Sequence, residues 1–150
     1  MATIRQFEDI EAWQCARILT REIHEFTRER RFAQDFALRD QVRRAAISVM
    51  SNIAEGFERG GSKEFAQFLS VAKASAAELE SQLYIAFDQR YISGSELESF
   101  LVRSGRMKRL IGSFMSYLRR TTVRGAKFHS QPAPGSNPKP ETRNPKLSSR

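Results

Sequence analysis

Apolar residues recur at three- and four-residue steps through most of the first 122 positions, and short polar or glycine-containing breaks divide them into four runs. In the first, over residues 8–30, Ile10, Trp13, Ala16, Leu19, Ile23 and Phe26 form a single stripe. Residues 31–35 read as a connector. The second run, residues 36–57, places Leu38, Val42, Ala46, Val49, Ile53 and Phe57 on one helical face and ends at Gly56, Gly60 and Gly61. Ser62 is the predicted N-cap of the third helix, whose inward face carries Phe65, Leu69, Ala72, Ala76, Leu79, Leu83 and Phe87. Its alanines predict a close approach to a neighbouring helix. After Ser93-Gly94, the run Ser95-Glu96-Leu97-Glu98 has the spacing of a capping box, with Ser95 and Glu98 as its two members. The fourth helix then extends to about residue 122, with Leu97, Leu101, Met107, Ile111, Phe114 and Leu118 facing inward.

Each predicted helix has roughly 22 to 28 residues, or roughly 33 to 42 Å at 1.5 Å per residue. Helices of matched length with short connectors pack as an antiparallel up-down four-helix bundle, so the expected fold is all-α with the bundle over residues 1–124. All five prolines lie at or beyond Pro132, leaving the preceding chain free of helix-breaking imino acids. Residues 125–150 are rich in Pro, Ser, Asn and Lys/Arg, and Asn137-Pro138-Lys139 recurs as Asn144-Pro145-Lys146. Such a segment buries too little apolar surface to offset the entropy of ordering and is expected to be a disordered tail.

Several ordered motifs resemble a known family, the small four-helix-bundle proteins encoded in intervening sequences of bacterial 23S ribosomal RNA genes. The related accessory proteins of diversity-generating retroelements are similar too. The resemblance begins with Phe7-Glu8-Asp9-Ile10-Glu11-Ala12-Trp13-Gln14. It is strongest over Asp40-Gln41-Val42-Arg43-Arg44-Ala45-Ala46-Ile47-Ser48 and Ser51-Asn52-Ile53-Ala54-Glu55-Gly56-Phe57. It continues through Ser62-Lys63-Glu64-Phe65, Phe68-Leu69 and Ala77-Glu78-Leu79-Glu80-Ser81-Gln82-Leu83. Met50 stands where the family commonly has a proline, so a kink typical of the family is not expected here. The resemblance implies a left-handed bundle and a homopentameric ring with a central channel. In the retroelement relatives it also implies a basic surface that meets nucleic acid and a reverse transcriptase. It implies no enzymatic activity.

Composition narrows the remaining classes. The chain has 150 residues, 40% of them hydrophobic, which suits one soluble domain with a real core. The longest uncharged stretch, residues 45–54, is well short of the roughly 18 apolar residues of a membrane span. Neither a membrane span nor a secretory signal is expected. Cys15 is the single cysteine and has no internal disulfide partner, in keeping with a cytoplasmic location.

Enzyme chemistry finds few residues to use. A dimetal bundle site needs paired Glu-x-x-His motifs, whereas the two histidines here are His24, preceded three residues earlier by Arg21, and His129. No zinc site of standard spacing and no nucleophile–base pair is available, so no metal, cofactor or catalytic residue is expected. Gly60-Gly61-Ser62-Lys63 precedes a helix but lacks the strand and spacing of a phosphate-binding loop, and reads as a capping turn.

Two polar constellations remain. On the second helix Arg44, Ser48, Ser51, Asn52 and Glu55 form a stripe beside the apolar face, which reads either as a structural or subunit-contacting stripe or as a ligand-contacting groove. On the fourth helix Arg106, Arg109, Arg120 and Arg124 share one flank, Arg103, Lys108 and Arg119 add charge elsewhere, and no acidic residue occurs over positions 101–129. Phe100 and Phe114 read as core, Trp13 as a packing anchor, and Tyr117 as the one aromatic placed to stack on a base.

The formal charge of +8 is therefore uneven: residues 1–123 contribute +3 and the remaining segment +5. The expected function is a non-enzymatic homo-oligomer that binds RNA or DNA through phosphate contacts from the fourth helix and tail. Partner surfaces without nucleic-acid binding, as in a protein-interaction scaffold, are the alternative.

Overall fold

A computed structural model describes residues 3–124, with side chains over that range except at position 30 and positions 122–124. Among the described residues every regular element is a helix, with no strand. A short 3-10 turn, Phe7–Asp9, precedes α1 (Glu11–Phe26), α2 (Arg30–Gln34), α3 (Phe36–Glu58), α4 (Ser62–Asp88) and α5 (Gly94–Arg124). The four longer helices make a closed square in which α1 and α4 each pack on both α3 and α5. Cross-helix pairs run in opposite senses: Gln41 meets Gln82 and Ser48 meets Ser75 between α3 and α4, while Thr20 meets Ala46 and Thr27 meets Arg43 between α1 and α3. The arrangement is the predicted antiparallel four-helix bundle.

Most of the predicted core is buried. Val42, Ile53, Phe65, Leu69, Leu79, Ile111 and Leu118 are sealed from solvent. At the centre the Phe65 ring packs edge-on against Phe57 and Phe114, joining α3, α4 and α5. Phe26 packs in the same way against Phe100, closing α1 on α5. Phe87 is the exception among the predicted inward residues, standing 40% exposed at the last turn of α4.

Several boundaries differ from the predicted ones, each for a local reason. The first run is not one helix over residues 8–30. The Asp9 carboxylate accepts from the Arg5 and Gln6 backbone N–H groups, and Ile10 is extended, so α1 starts only at Glu11. At its far end the buried Thr27 hydroxyl donates back to the Ile23 carbonyl, a bond that competes with helix continuation. The helix therefore has 16 residues against 23, 27 and 31 for the others, and the lengths are not matched. The expected connector over residues 31–35 instead contains α2, held by the buried Phe32 ring stacked on Tyr91. Ser62 is the first helical residue rather than the cap, a position taken by Gly61; the Ser62 side chain is buried. The capping box exists two residues earlier than predicted: Ser93 Oγ accepts from Glu96 N–H and the Glu96 carboxylate accepts from Ser93 N–H, so Ser95 and Glu98 are not its members. Helix α3 continues unbroken through Met50.

Two turns depend on unusual backbone. Gly60, between α3 and α4, has φ of 91°, where a Cβ is strained. Arg90 has φ of 66° and ends α4 in a Schellman motif, with Tyr91 N–H on the Ala86 carbonyl and Arg90 N–H on that of Phe87. Next to it, Asp35 caps α3 by accepting from Leu38 N–H and with its other oxygen accepts from the Tyr91 hydroxyl at 2.9 Å. That hydrogen bond, followed by partial desolvation and the Asp35 charge, raises the Tyr91 pKa above its ordinary value, while Arg31 works against the shift.

The tightest contact is at Gly56. A Cβ there would lie 2.6 Å from Phe68 Cβ and 2.7 Å from the Phe65 ring, so only glycine lets α3 and α4 meet at this depth. Gly56→Ala should lower unfolding free energy by about 1–3 kcal/mol. Gly112→Ala, whose Cβ would meet nothing within 4 Å on α5, should raise it by about 0.5–1 kcal/mol. Urea denaturation of both variants measures the contrast.

In an absorbance titration, one of the three tyrosines should ionise above the normal range, and Asp35→Asn should return it toward pH 10. Because the folded-state pKa is the higher one, this bond's contribution to stability is complete below the unfolded pKa and is lost as pH rises through the folded value.

Candidate nucleic-acid interface

Helix α5 is long because its inward residues, Leu97, Phe100, Met107, Ile111 and Leu118, are buried along nearly its full length. The residues between them place the cationic side chains outward, and these fall into two sets. Arg103 pairs with Glu22 of α1, its guanidinium lies 5.1 Å over the Phe100 ring, and its Nε donates to the Ser99 carbonyl. Arg106 donates to Glu11 of α1 at 2.7 Å and to Cys15 Sγ at 2.8 Å. The sulfur first, and Glu11 after it, raise the already high Arg106 pKa. Lys108 points the other way and pairs with Glu80 of α4 at 2.9 Å.

The second set is Arg109, Arg119 and Arg120. All three are exposed, and among the described residues none has a carboxylate within ion-pair distance. Arg119 reaches only the Ser116 hydroxyl, at 3.4 Å. Arg124 is the last residue of α5, and its side chain lies outside the described residues, as do His129 and the segment from position 125 onward. Tyr117 is half-buried, edge-on to Phe114 and packed against the core.

Of the six predicted cations whose side chains are described, three pair with carboxylates of other helices and three do not. What sequence reasoning missed is the neutralising partners: α5 itself carries no acid beyond Glu98, but Glu11, Glu22 and Glu80 arrive from other helices. Their separations of 95, 81 and 28 residues leave no local pattern to find.

The α3 stripe also divides. Ser48 Oγ lies 2.8 Å from Ser75 Oγ of α4, and Asn52 Nδ2 donates to the Ser48 carbonyl and hydroxyl. Glu55 binds Arg59 one turn on, and Arg59 also reaches Glu64 of α4 and covers the Phe68 ring, fastening the α3–α4 corner. Arg44 and Ser51 are exposed, and among the described residues no carboxylate pairs with Arg44.

Among the described residues no three His, Cys, Asp or Glu side chains converge to hold a metal, and His24 Nδ1 donates to the Thr20 carbonyl one turn back. No described helix is long and apolar enough to cross a membrane. The Gly60-Gly61-Ser62-Lys63 turn buries the serine and places Glu64 in the first turn of α4, an unfavourable setting for an anion.

The architecture is an all-α bundle whose outward side carries ion pairs and, among the described residues, guanidinium groups without a carboxylate partner. The profile of the 23S rRNA-intervening sequence protein family matches residues 8–113, well over half of the chain, and the protein belongs to that family. No curated protein matches the sequence significantly.

Ser48→Ala, which leaves Ser75 without its partner, should cost about 1 kcal/mol in chemical denaturation. Ser51→Ala, at an exposed site one turn away, should stay within about 0.5 kcal/mol of the parent.

Proposed function

We propose that this protein is a non-enzymatic, homo-oligomeric bundle that binds RNA or DNA by phosphate contacts, with weak sequence preference. One observation carries the reading: Arg109, Arg119 and Arg120 stand exposed on the second half of α5 without acidic partners among the described residues. Three free guanidinium groups on one helix suit bidentate phosphate binding, and symmetric repetition in an oligomer would multiply them. The family resemblance supports a pentamer acting in the bacterial cytoplasm, with a reverse transcriptase as protein partner if the setting is a retroelement.

The second reading, a protein-interaction scaffold, is favoured by exposed apolar side chains: Val102 at 64% and, on α3 and α4, Ile47 and Val71 at 44% and 49%. Binding to mixed-sequence RNA and DNA across a salt series separates the two readings. Phosphate binding predicts affinity that falls linearly on a log–log plot. Replacing Arg109, Arg119 and Arg120 by alanine should flatten that slope by about 2 for a single strand, at roughly 0.7 per lost contact. No detectable affinity at low salt would leave the scaffold. Light scattering checks assembly independently, and a 17.2 kDa species at every concentration would refute the homo-oligomer.

A further inference from the structure

Resting on the phosphate-binding reading, we infer that Arg103 and Arg106 are a latent extension of the same polyanion surface, held in reserve by Glu22 and Glu11. The two carboxylates occupy the guanidinium donors that phosphate oxygens would take. Binding along this edge of α5 is therefore an exchange of one anion for another.

Three features of the geometry carry this assignment. Solvent reaches both pairs: the side chains of Arg106 and Glu11 are 52% and 60% exposed, and those of the half-buried Arg103 and Glu22 are 38% and 32% exposed. Lys108 and Glu80, at 29% and 18%, sit deeper and belong to the α4–α5 packing. Each guanidinium also has an anchor besides its carboxylate. Arg103 rests on the Phe100 ring and donates to the Ser99 carbonyl, and Arg106 donates to Cys15 Sγ. Loss of the carboxylate therefore leaves both groups positioned, with less ordering entropy to lose on meeting a new anion. Finally, Arg103, Arg106 and Arg109 follow one another at three-residue steps, about 4.5 Å of rise each. A strand engaged at the free Arg109 has its next two cationic positions along the same helix.

A short or weakly charged anion finds only the free set, because it has too few phosphates to displace both carboxylates. A longer strand competes for all five guanidinium groups. Glu11 and Glu22 thereby set a threshold of ligand length and charge, and moderate salt keeps the extension closed.

Glu11→Gln with Glu22→Gln tests this on the full chain, with mixed-sequence single-stranded RNA as the probe in anisotropy titrations across salt. Glu8→Gln with Glu25→Gln is the control: it makes the same change in net charge at exposed residues without an ion pair among the described ones. The paired variant should bind about tenfold tighter than the control at low salt, with a salt slope steeper by about 1.4, two contacts at roughly 0.7 each. Adding Arg103→Ala and Arg106→Ala should abolish that gain, although the same two changes barely alter the parent protein's binding at moderate salt. If parent and variants bind but the paired variant matches its control, the latent extension is refuted and the free-guanidinium surface stands. If neither the parent nor any variant binds at low salt, both readings fall together.

Discussion

The depth at which α3 and α4 meet controls the rest of the bundle. Gly56 has Phe65 and Phe68 pressed against the place a side chain would occupy, and buried alanines line both helices, Ala45 and Ala46 on one and Ala72 and Ala76 on the other. That approach pushes the Phe65 ring into the centre, where it meets Phe57 and Phe114 and so fixes the position of α5. Once α5 is placed, its outward residues reach α1 on one side and α4 on the other. The pattern of paired and free cations thus depends on how closely α4, the neighbour of α5, packs on α3.

The polar groups along the α3–α4 seam reinforce its register by a different route. Ser48 with Ser75, and Gln41 with Gln82, bridge the two helices at matched heights, and the second member of each pair is 7% exposed. A one-residue slip would leave these groups without partners in a site that water reaches poorly, which costs more than the bonds contribute when made. Apolar packing supplies the attraction between the helices, and the polar pairs select one alignment among those packing allows. The polar stripe on α3 is therefore two things at once: Ser48 and Asn52 belong to the seam, whereas Arg44 and Ser51 lie outside it.

The fold was legible in the sequence because helical periodicity reports directly on burial. Of the twenty-five predicted inward residues twenty are buried and four half-buried, and the one exposed exception, Phe87, sits in the last turn of α4. Caps were harder. Ser93 and Ser95 both precede a glutamate at three residues, and only backbone conformation decides which serine adopts the extended cap geometry. The end of α4 carried no glycine signal at all, because Arg90 takes the left-handed position itself. The candidate site was the least legible part. Charge along one helix is visible in its sequence, but whether a guanidinium is free depends on carboxylates brought across the bundle from α1 and α4.

The closest helix contact and the ion pairs of Arg103 and Arg106 lie on opposite sides of the square. The α3–α4 side holds the close contact of Gly56 with Phe65 and Phe68 and the part-buried hydrogen bonds of Ser48 with Ser75 and Gln41 with Gln82. The α1–α5 side is bridged by the half-buried pair Arg103–Glu22 and by the exposed pair Arg106–Glu11, of a kind that contributes roughly 0–1 kcal/mol. The charges on that second side lie outside the core formed by Phe26, Phe100, Met107 and Ile111. Changes to these surface charges therefore leave the fold in place, because the interactions that define the core and the ion pairs between α1 and α5 share almost no side chains.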